Sequence, residues 1–323
     1  MIKNDRKPPI IIESLSVLLK RIPTNPRRKE IEDHLAKHKA GFRGEQSLDY
    51  FYRYLPQDEI ILLHNMRILH DEYYFQIDTL ILTPHFFIVL EIKNISGHIY
   101  FDHLFSQMIR TSEGNKESFD DPIQQVHRQA YHLSETLKLH KIPFIPIESL
   151  VVITNPKSLV ESATSHKDAI AKVIKSADLK TKFELFKEKH KEQILTKKDL
   201  RKVNKILVKL HTPYHPNVCN LYQIKQTELL KGVFCPECEN SFLLRRKRSW
   251  LCTDCNHTYP KAHVSALKDY ALLVSTEITN RECKEFLNLS SSSEAYHLLS
   301  GLQLPYSGYR KSRKYHLHQL IEI

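Results

Sequence analysis

The chain has 323 residues, 41% of them hydrophobic, and only 7 glycines. That is enough apolar material for two domains, and it excludes a low-complexity chain. The net charge of +11 favours a polyanionic partner, nucleic acid ahead of an anionic membrane surface.

No run approaches the roughly 18 apolar residues of a membrane-spanning helix, so no membrane partner is expected. Residues 1–37 are polar and proline-punctuated and predict an N-terminal helical arm. Glu13 interrupts the apolar run there, and Lys20 and Arg21 follow it, which does not suit a signal peptide. Gly41-Phe42-Arg43-Gly44-Glu45 then opens an amphipathic stretch with Leu48, Phe51, Tyr52 and Leu55 at helical spacing. Strand-like runs follow over 59–69, 73–83 and 86–94, with a more polar one from Gly97. Asp121-Pro122 starts a helix, since proline suits a first helical turn. The apolar run 149–154 is a further strand. Helix, strands, helix and strand together predict an α/β core over residues 38–155.

Residues 156–230 predict a lysine-rich helical connecting region, 231–262 a cysteine module, and 263–323 a module of short helices. Thr279 to Glu282 and Ser291 to Glu294 have capping-box spacing. Two short helices joined by a tight turn there suit a helix-turn-helix, or a generic helical packing unit.

The hairpin at residues 75–94 carries charges inside an apolar pattern. Thr83-Pro84-His85-Phe86 suits a type I turn. Counting back from it places Thr83 opposite Phe86 and Asp78 opposite Glu91. Phe75, Ile77, Thr79 and Ile81 would share one face, and Gln76 and Asp78 the other. Directly opposed carboxylates, roughly 4.5–5.5 Å apart at Cβ, repel unless a cation lies between them. Lys93, two residues after Glu91, would project beside that cation and could polarise an attacking water. The plainer alternative is a solvent-facing pleat with ordinary charges, but the β-branched and aromatic flanks argue against full exposure.

Asp78, followed by Glu91-Ile92-Lys93 on the next strand, resembles the D…(D/E)xK signature of restriction-endonuclease-like nucleases. More narrowly, four ordered motifs resemble the NERD (nuclease-related) domain: Gly41 to Glu45, Gln76-Ile77-Asp78, Glu91-Ile92-Lys93-Asn94, and Asp121-Pro122-Ile123-Gln124-Gln125. The resemblance implies a restriction-endonuclease-like mixed sheet flanked by helices. It implies that Asp78 and Glu91 bind Mg²⁺ or Mn²⁺, helped by the Ile92 carbonyl, and that Lys93 activates water. Glu45 would be an accessory acid, or else a capping or surface carboxylate. Gln124 or Gln125, with Gln125 preferred, would point into the site.

Of the six cysteines, four form Cys235-x-x-Cys238 and Cys252-x-x-Cys255, separated by 13 residues. Four thiolates at such spacing suit tetrahedral structural Zn²⁺ on a small β-ribbon in a reducing, cytoplasmic compartment, rather than a disulfide framework. Arg245, Arg246, Lys247 and Arg248 lie on that ribbon, with Trp250 and Phe242 nearby. Basic residues interleaved with aromatics suit phosphate contact and base stacking, although a solvated loop tip would look similar. These readings converge on a metal-dependent nuclease that hydrolyses phosphodiester bonds of DNA. The alternatives are a non-catalytic nucleic-acid-binding protein on the same scaffold, or a scaffold for protein contacts.

Overall fold

The computed structural model describes residues 6–238 and 241–321. Residues 1–5 of the expected N-terminal arm, 239–240 of the cysteine module and 322–323 of the C-terminal module lie outside the described residues. The chain divides into two compact units, residues 6–7 with 39–214 and residues 8–38 with 215–321. In chain order, α1 (Ile10–Arg21) lies in the second unit and α2 (Arg28–Tyr52) contributes to both.

The first unit continues with β1 (Ile61–His70), β2 (Tyr73–Leu82), β3 (Phe87–Lys93), β4 (Gly97–Asp102), β5 (Gln107–Ser112) and β6 (Asn115–Asp120). Then come α3 (Pro122–Leu139), β7 (Ile147–Ile153), β8 (Ser158–Ser162), α4 (Lys167–Lys172), β9 (Val173–Lys175), α5 (Leu179–Lys189) and α6 (Lys197–Leu210). The main sheet has the order β1-β2-β3-β7-β9, antiparallel through β3 and parallel from β3 to β9. A second sheet has the order β6-β5-β4-β8.

β3 reads FIVLEIK and is buried through Ile92, as expected of a strand covered on both faces. Phe87 and Val89 pack with Ile123, Val126 and Leu133 of α3 and with Val203 and Leu207 of α6. Ile88, Leu90 and Ile92 pack on the other face with Leu48 and Tyr52 of α2 and with Leu179 and Phe183 of α5. The result is a helix–sheet–helix sandwich.

The turn sets the register as its sequence predicts. Leu82 pairs with Phe87 and Thr79 with Leu90, and the Thr83 N–H donates to the Phe86 carbonyl at 3.2 Å. The expected face of Phe75, Ile77, Thr79 and Ile81 does not persist. Phe75 and Ile77 share a core with Leu80 and Leu82, whereas Ile81 faces the other core. β1 shifts at the same level: Ile61 and Leu63 share that core with Met66 and Ile68. Asn65 lies at the shift with φ of 51°, in the left-handed region, and the pairing of β1 with β2 keeps one register across it.

Residues 156–230, expected as a helical connecting region, are helical at α4, α5 and α6 and also carry strands. They contain β8 and β9, and both strands complete sheets of the first unit. Each strand has at most five residues, too short for an alternation signal, and the long-range partners β4 and β7 decide their state. Within the expected helical arm, residues 8–37 hold α1 and the first part of α2. Leu15, Leu18, Ile31 and Leu35 share a core with Val218, Tyr222 and Leu229.

The second unit also holds α7 (Val218–Leu221), β10 (Leu243–Arg246), β11 (Ser249–Cys252), β12 (Thr258–Tyr259) and α8 (Ala262–Leu273). It ends with β13 (Glu277–Thr279), α9 (Asn280–Leu287), α10 (Ser292–Gly301), β14 (Tyr306–Ser307), β15 (Lys314–His316) and α11 (His318–Ile321). The C-terminal module is therefore helical with a small sheet of order β13-β15-β14, whose two- and three-residue strands leave no periodic trace in the sequence. Within this unit the buried Arg21 guanidinium donates to Asp269 at 2.6 and 2.9 Å and to the Leu230 carbonyl at 2.7 Å. Among the described residues, no helix is long and apolar enough to cross a membrane.

Candidate active site

Backbone pairing of β2 with β3 runs as far as Thr79 and Leu90, the residues next to Asp78 and Glu91. The Asp78 Oδ2 accepts from the Ile92 N–H at 2.8 Å, so the side chain is anchored to the backbone of the neighbouring strand. Glu91 is 3% exposed. Its Oε1 accepts from the Lys93 ammonium at 2.7 Å, and its Oε2 accepts from Gln129 Nε2 at 2.7 Å. The Lys93 ammonium also donates to Gln125 Oε1 at 3.2 Å.

α3 supplies both glutamines because of how it starts. Pro122 follows the N-cap Asp121, whose side chain accepts from the Ile123 N–H at 2.8 Å. Gln125 and Gln129 then stand one turn apart on the same helix face. Of the two adjacent glutamines, Gln124 is exposed, and Gln125 is half-buried and meets Lys93. The contribution of Gln129 was not read from the sequence, although its i+4 spacing from Gln125 was a usable signal.

Glu45 reaches the same neighbourhood from α2. Gly44 makes the approach possible: a Cβ there would meet the Asn94 Cβ at 2.3 Å, so the helix backbone lies directly against the end of β3. The Asn94 Nδ2 donates to the Ala40 carbonyl at 2.7 Å and fixes that contact. The Glu45 Oε2 accepts from Arg6 at 2.7 Å and from Asn65 Nδ2 at 3.3 Å. Arg6 has a side chain 3% exposed. It also lies 2.9 Å from His64 Nδ1, 3.3 Å from Thr79 Oγ1 and 3.6 Å from Asp49 Oδ1. No local pattern marked this residue, because all its partners are distant in sequence.

The electrostatics of the cluster are those of crowded acids. Burial drives the Asp78 carboxyl well above the ordinary aspartate range, and the negative charges of Glu91 and Glu45 push it further. The Ile92 N–H and the Lys93 ammonium oppose this only in part. Burial also raises Glu45, against the pull of Arg6. A hard divalent cation takes oxygen ligands and relieves this kind of repulsion. The carboxylate oxygens of Asp78 and Glu91, each with further acceptor capacity, fit such an ion.

Residues 40–154 match the family model of the nuclease-related domain. This segment is a NERD domain. Neither the curated proteins nor the solved structures gave a match to the chain. The mixed sheet between helices is the restriction-endonuclease-like fold of the NERD domain, and Asp78, Glu91, Lys93, Glu45 and Gln125 all fall inside the matched span.

The cysteine module forms a separate candidate metal centre in the second unit. The thiols of Cys235, Cys238, Cys252 and Cys255 all lie within 4.8 Å of one another. Two of the sulfur pairs, Cys235 with Cys255 and Cys252 with Cys238, are 3.8 Å apart. Sulfurs about 2.3 Å from a tetrahedral zinc are separated by about 3.8 Å, so this donor set fits the ion. The thiols already differ in acidity. The His257 N–H draws Cys255 down to about 6, while burial and the neighbouring thiols push Cys238 up to about 12.

Of the residues expected to meet nucleic acid, Arg246, Lys247 and Arg248 are exposed at the β10–β11 turn. Arg245 instead turns inward, its guanidinium 5.1 Å from the centre of the Trp250 ring. Trp250 is 1% exposed and packs in the core with Leu243 and Leu267, so it offers no stacking face. Strand alternation explains this. Arg245 and Trp250 are cross-strand partners on the face that the helices cover. Phe242 is 40% exposed and stacks on Phe234 at 4.6 Å.

Proposed function

We propose that the NERD domain is a divalent-metal-dependent nuclease that hydrolyses the phosphodiester backbone of DNA. The observation that carries this reading is the anchored pair Asp78 and Glu91, with Lys93 bonded to Glu91 at 2.7 Å, inside a nuclease-related domain. Asp78 and Glu91 would hold the ion, with the Ile92 carbonyl as a further ligand. When bound, Mg²⁺ or Mn²⁺ supplies Lewis acidity toward the phosphate and lowers the pKa of a water. Lys93, steadied by Gln125, orients the attacking water and offsets negative charge growing on the phosphate oxygens. Gln129 holds the second oxygen of Glu91 and leaves the carboxylate one orientation. Glu45 acts as an accessory acid that adds negative potential. The cysteine centre would hold structural zinc, since four thiolates leave no open coordination position. Arg246, Lys247 and Arg248, with the C-terminal module, would help to hold the nucleic acid.

The test is cleavage of plasmid and linear DNA by purified protein with Mg²⁺ or Mn²⁺, beside Asp78→Ala. Loss of cleavage in the variant with DNA binding intact supports the reading. Equal cleavage by both proteins sinks it.

A second reading is a non-catalytic nucleic-acid-binding protein on the nuclease scaffold. It draws on the engagement of the Lys93 ammonium by both Glu91 and Gln125, which leaves it less able to reach a water. Salt-dependent DNA affinity without divalent-ion binding at Asp78 and Glu91 would favour it.

A further inference from the structure

The elements from α8 to β15 follow the order helix, strand, helix, helix, strand, strand, and the strands pair as β13-β15-β14. This is the arrangement of a winged helix, in which two helices joined by a tight turn are followed by a β-hairpin. The turn between α9 and α10 is fixed at both ends. Asn288 closes α9 in the left-handed conformation, with φ of 56°. Ser291 opens α10 by accepting from the Glu294 N–H at 3.2 Å.

The two sides of α10 differ sharply. Ala295, Leu298 and Leu299 enter the core beside Cys283, Phe286 and Tyr315. Ser292, Ser293, Tyr296, His297 and Ser300 form the exposed side, one or two residues per turn. This stripe is short and polar, carries hydrogen-bonding groups and includes no acid.

The hairpin beside it is basic. Gly308 has φ of 75°, and a Cβ there would lie 2.5 Å from the Ser312 carbonyl oxygen, so the tip is held in one tight form. Arg310 and Arg313 project from this hairpin, stacked 5.2 Å from Tyr309 and 4.2 Å from Tyr306 respectively. Aromatic support of this kind lowers the ordering cost of each guanidinium. No Asp or Glu occurs in the sequence from Ala295 to Ile321. The surface combines a polar helix face with a cationic hairpin, and the acids on the neighbouring elements are engaged: Glu277 of β13 pairs with Lys314 at 3.0 Å, and Glu294 accepts from the Ser290 N–H at the start of α10.

We infer that this module binds double-stranded DNA, with α10 in the major groove and the 306–314 hairpin on the flanking phosphates. A helix about 10–12 Å across matches a B-form major groove about 12 Å wide. The deep, narrow major groove of an RNA duplex would not admit it. Serine and histidine side chains suit base edges, whereas a single strand is held by open aromatic platforms. The inference narrows the proposed nuclease substrate to duplex DNA. It rests on that reading for its link to cleavage, though not for the binding itself.

The experiment uses the full chain with no Mg²⁺ or Mn²⁺ added and no chelator, so that binding is scored without cleavage and the cysteine centre is left undisturbed. Fluorescence anisotropy compares one DNA duplex, its single strand and the RNA duplex of the same sequence. The duplex DNA should bind tightest. Arg310→Ala with Arg313→Ala should weaken it about tenfold and make the salt slope shallower by about 2, the loss expected for two phosphate contacts. Ser293→Glu with His297→Glu should weaken it at least as much, because both sites would carry acids into the groove. Ser293, His297 and Arg310 are exposed and Arg313 is half-buried, and thermal melts of the variants matching the wild type show that the fold is kept. Equal affinity for single strand or RNA duplex overturns the inference, as does duplex binding unchanged in both double variants. A chain that binds duplex through α10 and the hairpin yet never cuts it with Mg²⁺ or Mn²⁺ would sink the nuclease reading and leave this one standing.

Discussion

The guanidinium of Arg6 donates to the carboxylate of Glu45 at 2.7 Å, joining the N-terminal segment to the first long helix beside the candidate metal site. Arg6 also lies near Asp49 and contacts His64 and Thr79. Removing one partner of such a buried pair leaves an uncompensated charge. Arg6→Met should therefore destabilise the first unit by about 3 kcal/mol, and adding Glu45→Gln should recover most of that loss. Urea unfolding of both single variants and the double variant gives the coupling energy, and simple additivity would refute the pairing argument.

Gln129 acts on Glu91, which it fixes by a hydrogen bond at 2.7 Å. Partners that orient metal ligands commonly contribute about 10- to 100-fold to metal affinity. Gln129→Leu should weaken Mn²⁺ binding by about tenfold, measured calorimetrically. Affinity unchanged from wild type would mean that Glu91 needs no orienting partner.

The second unit carries the only tryptophan of the chain. Trp250 is buried beside Cys235 and Cys252, so its emission reports on the cysteine centre. Elemental analysis should find one zinc per chain. Stripping it with a strong chelator, or substituting Cys252→Ser, should shift Trp250 emission to the red as the ribbon opens. Emission that stays blue in metal-free protein would count against a structural zinc.

His263 packs against Trp250 with ring centres 6.3 Å apart. Burial, then the charges of Arg245 and Lys261, lower its pKa to about 4. Its unfolded value is about 6.5. Between these values the unfolded chain binds the proton and the folded chain does not, so stability falls as pH drops through the window. The urea midpoint followed by Trp250 emission should decline from about pH 6.5 toward pH 4. His263→Phe should flatten that decline, and a variant with the wild-type profile would assign it to other groups.

Parts of this architecture are legible because they depend on local chemistry. The Thr83-Pro84-His85-Phe86 turn specifies its own hairpin register, which pairs Leu82 with Phe87 and Thr79 with Leu90. Asp121-Pro122 specifies a helix start, and the cysteine spacing specifies a ribbon. The inward turn of Arg245 was less accessible. A basic run looks solvated until strand pairing shows which of its members share a face with a buried tryptophan.

The sequence by itself determined the hairpin, the acid–acid–lysine pattern and the four-thiol module, because turn geometry, strand alternation and ligand spacing act over a few residues. Tertiary structure alone decided that Arg6 and Gln129 join the site, that β8 and β9 complete the sheets, and that the last helices carry a small sheet. Each of those outcomes depends on partners far away along the chain. A charge, a short strand or an amide has no preferred state of its own until folding brings its partner within hydrogen-bonding distance.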